Sequence, residues 1–130
     1  KNIANSEDKK IVAISSVAGS ISSMGRPSSL PILSISKAAL NMAMKTVALR
    51  LKDEGVTVIL LNPGAVDTRA LRQAFGLSLE EAEKATNFDY KGYPTLSPEE
   101  GVRRMIDVIE NANQSQNGSF LNHDGKELPW

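Results

Sequence analysis

Two side chains near the start of the sequence could hold or polarise a substrate oxygen. Ser16 follows the apolar segment KIVAIS (10–15), and Lys37 lies close to the start of a long apolar segment. A hydroxyl and an ammonium group both donate hydrogen bonds. Position 33 lies one helical turn before Lys37 on the same helix face, and its leucine carries no titratable proton. The structural alternatives are that Ser16 caps the loop after a strand and that Lys37 is a solvated lysine in a first helical turn.

The elements that must position these side chains alternate along the sequence between strands and helices. Three segments have a composition typical of strands, and they are residues 10–15, 56–61 and 118–122. Three further segments are predicted helices, and they are residues 32 to about 52, about 79–86 and about 98–112. This order predicts an α/β fold in which about three parallel strands are joined by right-handed crossovers with flanking helices.

The predicted helix 32–52 is apolar around most of its circumference. One set of apolar residues comprises Ile32, Ile35, Ala39, Met42 and Leu49, and the other comprises Leu33, Leu40, Met44, Val47 and Leu51. A helix of this kind needs two partners, for example a sheet on one face and a second protein chain on the other. The sequence therefore predicts that the helix associates with another chain. Met42, Met44 and Met105 occur at helical packing spacing and are predicted to be core residues.

The bulk composition excludes several classes of protein. A hydrophobic content of 41% supplies enough apolar material for a core, which argues against a disordered chain. Fifteen basic residues balance fifteen acidic ones, so neither nucleic acid nor a membrane surface is an expected partner. The sequence contains no cysteine, and we expect no metal site and no signal peptide. We also expect no apolar run that approaches the roughly 18 residues of a membrane span. We expect a cytoplasmic protein.

Three segments of the sequence carry the pattern of a known family. They are KIVAISSVAGS (10–20), SKAALNMAMKTVALRLKDEGVTVILLNPGAVDT (36–68) and FLNHDGKELPW (120–130). Together they resemble the carboxy-terminal half of a short-chain dehydrogenase/reductase, in the branch of C-factor and sniffer-type carbonyl reductases. The resemblance implies the carboxy-terminal part of a Rossmann-like doubly wound parallel sheet. It also implies NAD or NADP as cofactor and the oxidation or reduction of a carbonyl/alcohol pair.

The resemblance assigns roles to individual residues. It makes Ser16 and Lys37 catalytic residues, and it gives Lys37 the further role of holding the nicotinamide ribose. The residues implied to lie against the nicotinamide carboxamide are Pro63, Gly64, Val66 and Thr68. In the family a tyrosine one turn before the lysine donates the proton, and the lysine lowers the pKa of that phenol. The tyrosine position is occupied here by Leu33.

The sequence departs from the family pattern in more than the tyrosine. The interval between Ser16 and position 33 is longer than the usual spacing, so the intervening loop is altered. Tyr90 and Tyr93 fall in the region that forms the mobile substrate lid of the family, where either is a candidate substitute for the acid. These 130 residues also contain no glycine-rich strand-to-helix turn to seat a pyrophosphate.

Two functions from different classes are compatible with these features. The first is the nicotinamide- and substrate-facing half of an NAD(P)-dependent oxidoreductase, a partial Rossmann-like domain over residues 1–130. As an isolated chain it is expected to be inactive and to bind little or no cofactor. Its partner would be the missing amino-terminal half or a second copy, bound through helix 32–52, and its substrate a small carbonyl compound.

The second function is a non-catalytic binding or signalling module that dimerises through the same helix 32–52. Descent of the fold does not decide between the two functions, because chemistry depends on the groups that a site brings together.

Overall fold

A computed structural model describes residues 3, 6–25, 30–85 and 88–130. Within them the strands are β1 (Lys10–Ile14), β2 (Thr57–Asn62) and β3 (Phe120–Asn122). The helices are α1 (Pro31–Arg50), α2 (Arg69–Ala74), α3 (Leu79–Lys84) and α4 (Pro98–Asn111). Short 3₁₀ turns occur at Val17–Gly19, Lys52–Glu54 and Gln114–Gln116.

The three strands form one parallel sheet in the order β1-β2-β3. Thr57 pairs with Lys10 and Leu60 pairs with Phe120, so β2 lies in the middle. All six residues of β2 are buried, which explains its nearly unbroken apolar composition. The parallel α/β fold predicted from the sequence is confirmed.

Alternate residues of β2 point to opposite faces of the sheet, and each face is covered by one long helix. Ile59 and Leu61 pack with the α4 side chains Met105, Val108 and Ile109. Val58 and the preceding Val56 pack with the α1 side chains Met44, Val47 and Ala48. Helices on both faces of a parallel sheet form the doubly wound arrangement.

Helix α1 begins at Pro31, whose fixed φ suits the first helical turn, and no glycine interrupts the 20 residues that follow the cap. Its buried residues are small or polar, namely Ser34, Asn41 and Ala48, which recur every seven residues. Small side chains along this line let the helix approach the sheet and the loop after β1 closely.

The two apolar sets of α1 face in different directions, as the sequence predicts. Met44 and Val47 are half-buried against the sheet. The other set points outward, and its exposed fractions are 83% for Ile32, 70% for Ile35 and Met42, and 66% for Leu49. The prediction that Met42 is a core residue is therefore wrong, because Met42 lies on the side of α1 that faces away from the sheet.

By length and composition alone, α1 could cross a membrane. The helix Pro31–Arg50 has 20 residues, and an 18-residue window within it has a mean hydropathy of 1.2, with 17% of that window buried. The expectation that no apolar stretch approaches this length is wrong for this helix. One such helix is weak support for a membrane span, because a helix that packs against protein on two sides passes the same test.

Several predicted elements have different ends in the structure. Helix α3 ends at Lys84, and residue 86, the predicted end, lies outside the described residues. Strand β3 starts at Phe120, since Gly118 has a φ of +78° and belongs to the preceding turn. Helix α2 is additional, because no periodic apolar pattern in the sequence predicts it.

Candidate functional site

The loop after β1 carries Ser16 and is held against α1. Ser16 has an extended backbone and caps the turn Val17–Gly19, and its Oγ accepts a hydrogen bond from the N–H of Ala18 at 3.2 Å. The preceding Ser15 is buried and donates a hydrogen bond from Oγ to Oδ1 of Asn41 on α1 at 2.5 Å. Ser16 is therefore a loop cap, and its hydroxyl proton can still be donated to a further acceptor.

Two further contacts fix the direction of this loop. The N–H of Val17 donates to Oδ1 of Asn62, at the end of β2, at 3.0 Å. Gly19 lies so close to α1 that a Cβ in its place would be 2.7 Å from the Cβ of Lys37. Any larger residue would collide with the helix, so this close approach requires glycine.

Lys37 lies half-buried at the carboxyl end of β1. Its Nζ donates a hydrogen bond to the carbonyl oxygen of Ile14 at 2.9 Å. Because Ile14 is the last residue of β1 and Ser16 follows two residues later, both predicted catalytic side chains lie at the same end of the sheet. An ammonium has three N–H donors, so the bond to Ile14 leaves capacity for a ligand hydroxyl.

A cavity of about 500 Å³ lies beside the carboxyl end of β2. Leu33 of α1 lines it, together with the four residues that the family resemblance places against the carboxamide, namely Pro63, Gly64, Val66 and Thr68. Helices α2 and α4 supply the rest of the wall through residues such as Leu71 and Met105. Ser16 and Lys37 are not among the lining residues.

The described residues that line this cavity are almost all apolar. Thr68 has the one polar side chain among the lining residues that the structure describes, and none of these residues is titratable. The Oγ1 of Thr68 accepts a hydrogen bond from the N–H of Leu71 at 3.3 Å and thereby caps α2. Among the described residues, a ligand in the cavity would meet backbone amides and hydrocarbon, and no lining side chain there is an acid of the kind that general acid catalysis requires.

Residues 63–68 form a loop that is fixed by two close approaches. Gly64 has a φ of +77°, and a Cβ in its place would be 2.5 Å from Cδ2 of His123. A Cβ at Gly101 on α4 would be 2.8 Å from Cγ2 of Val66. The two glycines let the loop lie between α4 and the turn after β3. His123 therefore packs against Gly64 and is not a lining residue of the cavity.

The two tyrosines of the predicted lid do not replace the acid in this structure. The hydroxyl of Tyr90 donates to the carboxylate of Asp67, and burial raises the pKa of this phenol, which makes it a weaker acid. Tyr93 is 54% exposed and packs against Phe75, with ring centroids 5.6 Å apart. Neither tyrosine lines the cavity.

Sequence reasoning missed three polar residues that hold the site without lining the cavity, namely Asn41, Asn62 and Asp67. A signal for the first two existed, because Asn41 lies one helical turn after Lys37 and Asn62 ends an apolar segment. Buried polar side chains are nearly always hydrogen-bonded, so a polar residue within an apolar segment is a candidate for a buried hydrogen bond. Asp67 has no comparable signal, since its contacts come from segments without periodic spacing.

The family of the protein follows from its similarity to known sequences. Residues 2–76 match the short chain dehydrogenase family. An uncharacterized oxidoreductase of Saccharomyces cerevisiae is 42% identical over 119 residues, which cover 92% of this chain and 44% of that protein. The chain belongs to the short-chain dehydrogenase/reductase family.

The branch within the family is supported by one further sequence and two solved structures. C-signal of Myxococcus xanthus is 34% identical over 97 residues, which cover 74% of this chain and 46% of that protein. NADPH-bound carbonyl reductase from chicken fatty liver has a TM-score of 0.72 at 28% identity, over 93% of this chain and 42% of that one. Carbonyl reductase Sniffer of D. melanogaster has a TM-score of 0.72 at 26% identity, over 93% and 41%.

These similarities confirm the predicted resemblance to the C-factor and sniffer-type branch, and with it the Rossmann-like fold. The chain spans about half the length of the curated relatives it matches.

Proposed function

We propose that these 130 residues form the nicotinamide- and substrate-facing half of an NAD(P)-dependent short-chain dehydrogenase/reductase domain. The observation that carries this proposal is the cavity, because it unites Leu33 of α1 with the loop 63–68. An apolar cavity of about 500 Å³ suits a flat, weakly polar ring with a small substrate beside it. The NADPH-bound relative of the same fold supports NAD(P) as the cofactor of the complete domain.

In this proposal each predicted site residue has a separate task. Lys37 would donate hydrogen bonds to the ribose hydroxyls from its position beside Ile14. Ser16 would donate a hydrogen bond to the substrate oxygen. The residues that would contact the nicotinamide ring and its carboxamide are Pro63, Gly64, Val66 and Thr68. NAD(P) supplies or accepts the hydride when it is bound.

Leu33 limits what this half can do. Reduction of a carbonyl places negative charge on its oxygen, so a proton donor must already be directed at that atom. Leu33 occupies the tyrosine position, and no titratable side chain lines the described part of the cavity. We therefore propose that the isolated chain accepts a small carbonyl compound or alcohol in this cavity without interconverting them.

A second candidate function is that of a non-catalytic binding or signalling module. The observation that favours it is the outward side of α1, where Ile32, Ile35, Met42 and Leu49 are at least 66% exposed. Four apolar residues on one helix face form a surface typical of protein association. Strand β1 also forms one edge of the described sheet, and edge strands pair readily with other chains. The partner would be the amino-terminal half of such a domain or a second copy.

Ligand titrations followed by NMR test the first proposal on the chain itself. Reduced nicotinamide mononucleotide carries the ring and one ribose, whereas NADPH adds the adenosine part. Since the proposed contacts are all to the nicotinamide end, we expect both ligands to bind weakly and with similar affinity. Both should shift the methyl resonances of Leu33 and Val66.

ADP-ribose is the matched control, because it has the adenosine part and lacks the nicotinamide ring. It should leave the methyl resonances of Leu33 and Val66 unchanged. Low-micromolar affinity for NADPH in titration calorimetry, or shifts with ADP-ribose as large as those with the mononucleotide, would contradict the proposal.

A further inference from the structure

The segment that closes one side of the cavity consists of two very short helices. Helix α2 supplies Ala70, Leu71 and Ala74 to the cavity wall, and α3 packs against α2. Each helix has six residues. An isolated helix needs about 12–15 residues to be even marginally stable in water. The order of this cavity wall therefore depends on side-chain contacts in addition to the backbone hydrogen bonds of the two helices.

Several of these contacts are hydrogen bonds to one carboxylate, that of Asp67. Asp67 accepts two hydrogen bonds from Arg72 of α2, from Nε to Oδ1 at 2.7 Å and from Nη2 to Oδ2 at 3.0 Å. The hydroxyl of Tyr90 donates to the same carboxylate. Bidentate, charge-assisted bonds of this kind are among the stronger hydrogen bonds in proteins. Asp67, Arg72 and Tyr90 are called the Asp67 cluster below.

Arg72 extends the Asp67 cluster to α3. Its Nη1 donates to the carbonyl oxygen of Ala82 at 3.2 Å and to that of Ala85. These carbonyls lie at the end of α3, where a helix leaves its C=O groups without intrahelical partners. The side chain of Arg72 is only 14% exposed, so little water competes for these bonds. One guanidinium thus joins α2, α3 and Asp67.

Tyr90 attaches the following segment to the same carboxylate. Its side chain is buried, and its ring packs edge-on against Phe75 and Phe88, with centroid separations of 5.1 and 4.7 Å. The hydroxyl is therefore held in one place by ring packing. Removing the hydroxyl alone would leave those ring contacts intact.

Asp67 lies in the loop 63–68, between two residues that line the cavity. Its backbone N–H donates to the carbonyl oxygen of Leu96 at 2.8 Å, which fixes the main chain at this position. Its sequence neighbours Val66 and Thr68 both line the cavity, whereas Asp67 itself does not. The carboxylate therefore connects the loop 63–68 to the wall formed by α2 without touching a ligand.

We propose that Asp67 is a positioning residue that holds α2, α3 and Tyr90 as one lid against the loop 63–68. Loss of the Asp67 cluster then opens the cavity wall while the sheet stays folded. This inference rests on the proposed function only in taking the cavity as the ligand site. Hydrogen bonds to charged groups make contributions that correspond to about 10- to 100-fold in an opening equilibrium.

Two conservative variants break the cluster. Tyr90→Phe removes the hydroxyl and keeps the rings in contact, and Asp67→Asn keeps the side-chain shape and removes the charge. In hydrogen exchange measured by mass spectrometry, amides in residues 69–85 should exchange about 10- to 100-fold faster in both variants. Amides of β2 should exchange as in the wild type. If Tyr90→Phe does not fold, Asp67→Asn decides the question.

The matched control is Glu83→Gln. Glu83 forms an ion pair with Arg69 at 3.8 Å that also joins α2 to α3, but both side chains are more than half exposed. Exposed pairs of this kind contribute little to stability. Exchange in residues 69–85 should therefore be unchanged in Glu83→Gln.

A second measurement separates positioning from general stabilisation. The methyl resonances of Leu33 and Leu71 report on two walls of the cavity, and reduced nicotinamide mononucleotide is the titrated probe. Positioning by Asp67 predicts a shifted Leu71 resonance and about 10-fold weaker probe binding in both variants, with a larger effect in Asp67→Ala than in Asp67→Asn.

Two results overturn the inference. One is unchanged exchange in residues 69–85, and the other is faster exchange that includes β2, which would make Asp67 a general stabiliser. A wild-type chain whose resonances the probe does not shift refutes the proposed function instead. The exchange comparison would still decide the role of Asp67 in that case.

Discussion

Gly19 and Lys37 are in direct contact, since a Cβ at position 19 would lie 2.7 Å from the Cβ of the lysine. The loop that carries Ser16 therefore meets the helix that carries Lys37 at a point where only glycine fits. Gly19→Ala should push the loop away from α1 and destabilise the fold by about 1–3 kcal/mol, the usual cost of overpacking. Differential scanning calorimetry would measure this as a lower unfolding midpoint.

Gly25→Ala is the control for that substitution. Gly25 belongs to the same loop, and a Cβ there would meet no atom of the described residues within 4 Å. Its effect should stay within about 0.5 kcal/mol, as for other surface substitutions. Equal destabilisation by the two variants would show that contact with Lys37 does not determine the need for glycine at position 19.

The sheet and the long helices could be predicted from the sequence because their signals are local. β2 is buried on both faces and is therefore apolar from Val58 to Leu61, and the Ser97 cap and Pro98 mark the start of α4. The direction in which α1 faces could not be predicted, since both of its sides are apolar. The structure buries the small and polar residues of α1 and leaves Met42 exposed, which is the opposite of a simple hydrophobic rule.

The candidate site could be predicted only for residues that match the sequence pattern of the family. The family resemblance assigned Leu33 and the segment 63–68 to the site, and the structure places them around one cavity. Tyr90 and Asp67, which share a hydrogen bond, are 23 positions apart in the sequence. The segment between them contains two residues, 86 and 87, that the structure does not describe. No helical or strand periodicity relates two such positions, so their contact depends on how α2 and α3 fold back.

Met42→Glu and Met44→Glu place the same charge on opposite sides of α1. Met42 is 70% exposed, whereas Met44 packs against the cluster around Val56 and Val58. We expect Met42→Glu to weaken association of the chain with little change in its thermal midpoint. Met44→Glu should destabilise the fold by about 2 kcal/mol or more, because it buries part of a charge.

Sedimentation velocity and thermal unfolding distinguish these two variants. Wild-type chain that sediments as a single monomer at high micromolar concentration, without a partner, would contradict association through the outward side of α1. If only Met44→Glu abolished association, the contact would lie on the side of α1 that faces the sheet, and association through the outward side would be contradicted.

Glu100 makes the stability of α4 depend on pH in the acid range. Its carboxylate accepts hydrogen bonds from Arg103 at 2.8 Å and Arg104 at 2.6 Å, which lower its pKa from 4.5 to about 2. A depressed pKa in the folded state stabilises the fold above the ordinary pKa, and this contribution disappears as the pH falls. The difference in free energy of unfolding between the wild type and Glu100→Gln should be constant above pH 4.5 and should decrease between pH 4.5 and about 2.

Denaturant titrations at a series of pH values would measure that difference. Glu99→Gln is the control, because the exposed Glu99 lies in the same first turn of α4 and near the same helix dipole. A difference for Glu100→Gln that does not vary with pH would mean that the two arginines do not stabilise the ionised carboxylate.

Leu33→Tyr tests whether the site is an inherited one whose acid was lost. Leu33 lines the cavity, and Lys37 lies one turn later on α1 with its Nζ at the end of β1. A phenol at position 33 would therefore point to the cavity and lie near the ammonium, which would lower its pKa. With the amino-terminal half of a family member supplied, this variant should create or raise carbonyl reductase activity.

General acid catalysis contributes about 10²–10⁴-fold, so the gain should be measurable in an assay of NADPH oxidation. Adding Lys37→Ala to Leu33→Tyr should abolish the gain, because the phenol would lose the charge that adjusts its pKa. Ile32→Tyr is the matched control, since Ile32 is 83% exposed and does not line the cavity, and it should add no activity.

The altered loop after Ser16 is the feature most able to prevent the gain, because the serine must approach the same substrate oxygen. Suppose that the assembled protein binds cofactor, yet Leu33→Tyr turns over none of a panel of aldehydes and ketones. Leu33 would then be a structural wall of a binding cavity, and the bond from Lys37 to Ile14 would serve the fold alone.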